Sequence, residues 1–110
     1  MNTKNFVAVN YIHCKPEYRE RFEELFATRA KQIDTMPGFV DMQVFRPMKE
    51  GDAYLIVSHW DSEESFAGWT KSETFLEGHK RGFADIAKAK AEGKEPPMKS
   101  DFKTYAVIAR

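Results

Sequence analysis

The 110 residues predict an α+β fold in which helices pack on a four-stranded antiparallel sheet. Three observations lead there. Residues 6–12, 40–44, 53–60 and 102–109 alternate with a period of two, while residues 16–33 and 62–90 carry apolar residues at steps of three and four. Turn-forming residues stand where the two periods meet: Pro37-Gly38, Glu50-Gly51-Asp52 and Pro96-Pro97.

The first strand puts Phe6, Ala8, Asn10 and Ile12 on one face and Val7, Val9 and Tyr11 on the other, so both faces are largely apolar. Asn10 is the odd residue on its face. A buried carboxamide without a partner costs on the order of 1–3 kcal/mol, which marks it as bonded to backbone or aimed into a cavity. Pro16 suits a first helical turn, and Tyr18, Phe22, Leu25, Phe26, Arg29 and Ile33 then keep helical spacing up to Pro37 and Gly38, predicting one long amphipathic helix. Val40, Met42 and Val44 alternate with Asp41 and Gln43, and the turn at Gly51 joins them to residues 53–60 as a hairpin.

Asp61 or Ser62 can cap a short helix whose first turn holds Glu63 and Glu64, placed to complement the dipole, with Phe66 and Trp69 turned inward. Ser72 caps the next helix, which runs to about Lys90. Its apolar stripe, Phe75, Leu76, His79, Phe83 and Ile86, contains one imidazole, which the spacing directs into the protein. Residues 91–99 are rich in lysine and proline and read as a solvated loop before the last strand, 102–109. The order strand, helix, strand, strand, helix pair, strand is the ferredoxin-like arrangement βαββααβ with its second helix split. Helices on one side of such a sheet cover one face only, and the apolar character of the other predicts a homodimer in which two sheets form a shared α+β barrel.

Composition limits the function classes. A chain of this length, 42% hydrophobic and 31% charged, fits a single domain over residues 1–110. The formal net charge is zero and the basic residues are scattered, which argues against nucleic acid or an anionic membrane surface as partners. The N-terminus lacks the apolar segment of a secretory signal, and no run approaches the roughly twenty apolar residues of a membrane span. A cytoplasmic location is expected. Cys14 is the only cysteine, so no intrachain disulfide or thiolate cluster can form, and it reads as an inert small residue. There is no glycine-rich phosphate loop, no recognisable carboxylate pair and no nucleophile elbow, and His13 and His59 at strand ends are expected to face solvent.

The run WDSEESFAGWTKSETFLEGH sets Trp60, Ser62, Phe66, Trp69, Ser72, Phe75 and His79 in one register. Together with Asn10 and the pairs Thr28-Arg29 and Gly38-Phe39, it resembles the IsdG-type heme-degrading monooxygenases, a branch of the antibiotic biosynthesis monooxygenase (ABM) superfamily. The resemblance covers essentially the whole chain. It departs by one extra residue between Arg29 and Gly38 and by the loop before the last strand.

The resemblance implies an enzyme that binds heme as both substrate and cofactor, opens the porphyrin at a meso carbon with O2 and releases iron. It implies Asn10, Trp69 and His79 as the catalytic set, with Phe26 also lining the heme site. Each role suits its side chain. The neutral imidazole of His79 offers a lone pair to iron and leaves the opposite axial position open. The Asn10 carboxamide can donate a hydrogen bond to oxygen on the distal side without burying an ion. The Trp69 indole is wide and rigid enough to press a porphyrin out of plane. Trp60 reads as packing, and Arg29, Lys80 and Arg81 are candidates to pair with heme carboxylates. With no flavin or nicotinamide site, electrons are expected from an external reductase or ascorbate. Two alternatives remain: a cofactor-free quinol or polyketide monooxygenase with His79 as base, and a heme-binding protein without turnover.

Overall fold

The computed structural model describes residues 5–29 and 31–110. Four strands, β1 (Phe6–Cys14), β2 (Phe39–Phe45), β3 (Tyr54–Trp60) and β4 (Met98–Ala106), pair antiparallel in the order β2-β3-β1-β4. Between them lie α1 (Arg19–Ala27), α2 (Glu63–Thr70) and α3 (Glu73–Ala91), with short 3-10 turns at Pro16–Tyr18 and Gln32–Thr35. This is the ferredoxin-like order that the two periodicities predict. The two caps are also as read: the Ser62 hydroxyl accepts from the Ser65 N–H, and the Ser72 hydroxyl from the Phe75 N–H.

Three boundaries differ. The long helix expected over residues 16–33 stops at Ala27. Thr28, which is β-branched, turns its hydroxyl back to the Glu24 carbonyl, and Lys31 adopts a left-handed conformation with φ 61° that no helix can continue through. Ile33 keeps its inward place on the 3-10 turn, which is why the spacing looked unbroken. β4 begins at Met98 and ends at Ala106, so residues expected in a loop are paired, with Met98 opposite Cys14 and Ser100 opposite Ile12. β1 correspondingly runs two residues beyond Ile12.

The densest packing lies between α1 and the sheet, where Ile12, Phe22 and Tyr54 are buried together and the Phe22 and Tyr54 rings sit 4.7 Å apart. Trp60 is fully buried, donates its indole N–H to the Ser58 hydroxyl, and meets Phe39 and Phe66 edge-on. The packing role expected for it is the one it has.

The Tyr54 hydroxyl donates to Glu23, which also takes a two-pronged bond from Arg46. The Arg46 fork, then the Tyr54 hydroxyl, hold the Glu23 carboxyl down at about 2 from an ordinary 4.5. A depressed folded-state value stabilises the fold above about 4.5, and that contribution is lost as pH falls toward about 2. Glu23→Gln is therefore expected to flatten the acid limb of a melting-temperature profile between these values. An unchanged slope would show that the fork contributes nothing.

Val7, Val9, Tyr11, Leu55 and Val57 turn to the sheet face away from this core. Beside them Phe45 and Tyr105 are 44% and 46% exposed. The apolar second face expected of these strands is present.

Candidate active site

A cavity of about 470 Å³ opens between the sheet and the helices, floored by Ala8, Asn10, Ile56 and Phe102 and walled by α1, α2 and α3. That volume lies in the range of small-molecule and cofactor sites. Of the expected site residues, Asn10, Phe26, Trp69 and His79 all line it. They come from four elements, β1, α1, α2 and α3.

Asn10 stands mid-strand on β1 between Ile56 of β3 and Phe102 of β4, so its side chain rises from the centre of the floor. Its Oδ1 is buried and has no hydrogen-bond partner among the described residues. The same is true of the Trp69 Nε1. Buried polar groups are nearly always satisfied, so two orphans on one cavity wall mark a place kept ready for something else.

Trp69 is clamped at the end of α2 by other rings. It stacks on Trp60 at 5.6 Å and 29°, and takes Phe75 edge-on at 4.9 Å. Four aromatic neighbours, counting Phe66 and His79, hold the indole plane with little freedom to turn.

The His79 ring lies between Phe75 and Phe83, with centroids 4.1 and 5.4 Å away. Its Nδ1 is 2.7 Å from the Phe75 carbonyl oxygen. A carbonyl only accepts, so Nδ1 carries a proton, and the tautomer this bond selects has its lone pair on Nε2. The orienting partner is thus a backbone carbonyl one turn back on the same helix. Among the described residues no group of three histidine, cysteine or carboxylate side chains is placed to hold a bare ion. One imidazole in an apolar cavity suits a metal whose other ligands come with it in a macrocycle, and the donor set here fits heme in that sense.

The three candidate cations separate. Arg29 lines the cavity and is only loosely paired, its Nη1 lying 3.6 Å from Asp34. Lys80 is exposed and is not on the cavity wall. Arg81 lines the wall but spends its guanidinium on α1, donating to the Thr28 hydroxyl and the Leu25 carbonyl at 2.8 Å each. Two of its five N–H donors are thereby committed.

The apolar stripe of α3 is looser than its spacing suggested. Leu76 is 61% exposed and Phe83 48%, and α3 has no fully buried residue, because the cavity rather than packed side chains lies beneath it. Met98 and Ser100 also line the cavity and escaped the sequence reading. The period-two run Met98, Ser100, Phe102 was the available signal. Cys14 is half-buried and its thiol is pushed up to about 11 by desolvation, consistent with an inert residue. His13 is exposed, while His59 is bonded to Asp41 at 2.7 Å on the face away from the cavity.

The family model of the antibiotic biosynthesis monooxygenases matches residues 5–81. The chain belongs to that family. Among relatives of this ABM protein, a staphylobilin-producing heme oxygenase of Staphylococcus saprophyticus is 30% identical over 95 residues, covering 84% of this chain and 85% of the relative. A mycobilin-producing heme oxygenase of Mycobacterium tuberculosis is 36% identical over 63 residues, 57% of this chain. The matched part spans 60% of that relative's length. In three dimensions the ABM chain is similar to the heme-degrader MhuD from Mycobacterium tuberculosis, solved with two hemes bound in its active site, at a TM-score of 0.68 and 25% identity over 96% of this chain and 97% of that one. SnoaB, a cofactor-independent oxygenase from Streptomyces nogalater, shares the fold at a TM-score of 0.66 and 20% identity. The IsdG-type resemblance of the sequence is borne out by the heme-degrading relatives. No helix of the ABM protein among the described residues is long and apolar enough to cross a membrane.

Proposed function

We propose that this protein is a heme-degrading monooxygenase working in the cytoplasm as a homodimer of single-domain subunits. The observation that carries the reading is the meeting, on one apolar cavity, of an imidazole held through Nδ1 and two buried polar atoms that lack partners among the described residues. The heme-degrading relatives support it, and the open apolar face of the sheet supports the dimer.

When bound, heme supplies the iron that activates O2 and the porphyrin that is opened at a meso carbon, releasing iron, with electrons from an external reductase or ascorbate. His79 would hold the iron through Nε2, its Nδ1 being fixed on the Phe75 carbonyl. Asn10 lies on the cavity floor, where its carboxamide can turn about its last torsion and offer its NH2 as a donor that carries no charge of its own. Trp69, braced by Trp60 and Phe75, would offer a rigid wall to a bound porphyrin. Phe26, backed by Phe22 at 5.1 Å, supplies apolar wall. Arg29, on the cavity wall with only a loose pair to Asp34, is a candidate cation for a heme carboxylate. Its removal is expected to weaken hemin binding about fivefold, the worth of an exposed ion pair near 1 kcal/mol, and to leave binding of the dimethyl ester unchanged. Equal losses for both pigments would remove Arg29 from that role.

Titration with hemin tests the whole reading. A Soret shift is expected, followed on adding ascorbate in air by decay of the band and release of iron to a ferrous chelator. Absence of a shift would overturn the proposal in favour of a cofactor-free oxygenase. A shift that persists through reduction would leave a heme-binding protein.

A further inference from the structure

The weak packing of α3 raises the question of what fixes its rotation about its own axis. Helices are normally keyed by an apolar stripe sunk into a core, but α3 spans 19 residues without one fully buried side chain. Two polar links to α1 and the turn before it take over. Arg81 reaches across the chain to the Leu25 carbonyl, one of the last-turn acceptors that α1 itself leaves unsatisfied, and to the Thr28 hydroxyl, at 2.8 Å each. One turn further on, Asp85 accepts from the Tyr18 hydroxyl at 2.6 Å and from Arg21 Nε at 3.0 Å. Both links are charge-assisted, the strong class of hydrogen bond.

Their place on the helix matters. Arg81 and Asp85 are four residues apart and so share one flank of α3, while His79 and Phe83 share the other, with the cavity-facing side between them. Drawing one flank down onto α1 sets how far the other dips into the cavity. We infer that Arg81 and Asp85 are positioning residues, whose bonds to α1 and the preceding turn set the rotation of α3 and thereby hold the His79 imidazole at its working height. The inference concerns His79 in the role proposed for it above and rests on that reading. Neither side chain is bonded to the imidazole, and two of the five guanidinium N–H donors are committed to the Leu25 carbonyl and the Thr28 hydroxyl.

Hydrogen exchange on the ligand-free full chain tests the mechanical half. In Arg81→Gln and Asp85→Asn, amides of residues 76–83 are expected to exchange about tenfold faster, with those of β1 and β3 unchanged, since a bond to a charged group is worth roughly 1.5 kcal/mol or more. Hemin titration tests the other half. Both variants are expected to bind about tenfold more weakly and to show a broadened iron–histidine stretching band in resonance Raman spectra, a signature that mere loss of thermal stability does not produce. Arg81→Lys, which can still reach one acceptor, should recover most of the affinity. Parent-like exchange in both variants, or parent-like affinity and spectrum, overturns the inference. Should Arg81→Gln melt below assay temperature, Asp85→Asn carries the same two readouts on the other link. If the parent chain itself fails to shift the Soret band, the proposed function falls, and the exchange data alone decide whether the two links set the helix.

Discussion

Replacing His79 by alanine is expected to abolish the histidine-ligated Soret band on hemin addition, whereas Asn10→Ala should bind hemin as the parent does and open the ring about 10²- to 10³-fold more slowly. The contrast follows from where the two groups stand. His79 offers the cavity an imidazole oriented by its Nδ1 bond to the Phe75 carbonyl, and its loss removes the bond that would seat the ligand. Asn10 contributes a neutral donor whose worth lies in the reacting state, and deleting one preorganised hydrogen bond of that kind typically costs this much in rate. Stability measurements sharpen the test. Because the Asn10 Oδ1 has no partner among the described residues, truncation removes an unsatisfied buried atom, so the melting temperature of Asn10→Ala should hold or rise. A variant that degrades heme at the parental rate would remove Asn10 from the chemistry. One that melts well below the parent would show that the carboxamide is a structural group after all.

Gly38→Ala is expected to be the most destabilising single-methyl change in the protein. Gly38 has φ +82°, a left-handed conformation that costs an alanine roughly 1–2 kcal/mol. A Cβ there would also collide with the Ser65 hydroxyl and the Asp61 carboxylate, which are bonded to each other at 2.6 Å. The Gly38 carbonyl accepts from the Asp61 N–H at 2.8 Å, so the strand cannot simply back away. Adding a typical overpacking penalty brings the loss to about 2–4 kcal/mol, a large share of a small domain's stability. Gly51→Ala is the control, since φ is +92° there but nothing lies within 4 Å of the added methyl. It should lose only the strain. If the two variants melt together, the contact with α2 is unimportant. If Gly38→Ala melts far lower, its near-ultraviolet circular dichroism should change as well, because α2 carries Trp69.

Local chemistry made most of the fold readable. Ser62 and Ser72 announced their helices, and alternation placed Asn10 on the inward face of β1, as the register confirms. What escaped had no local mark. The break after Ala27 depends on Lys31 taking a left-handed turn, a choice its residue type does not advertise, and Ile33 preserved the helical rhythm across the break. The start of β4 was hidden because Lys99 and Asp101 point to the other face of the sheet and make a paired strand look like a charged loop. In the site, the side chains that meet on the cavity were identified by their register with a known family, yet the use made of Arg81 was not. Its acceptor lies 56 residues away, and no spacing rule connects a guanidinium on one helix to the final turn of another.

The thin packing under α3 has a consequence for how this protein tolerates change. Phe83 and Ile86 border the cavity on a helix with no fully buried residue, so exchanging them for other apolar residues should leave a heat-denaturation screen almost silent. The pocket wall is thereby free to be re-tailored to a bulkier or slimmer guest with little risk to folding, and random variants selected only for solubility should accumulate there first.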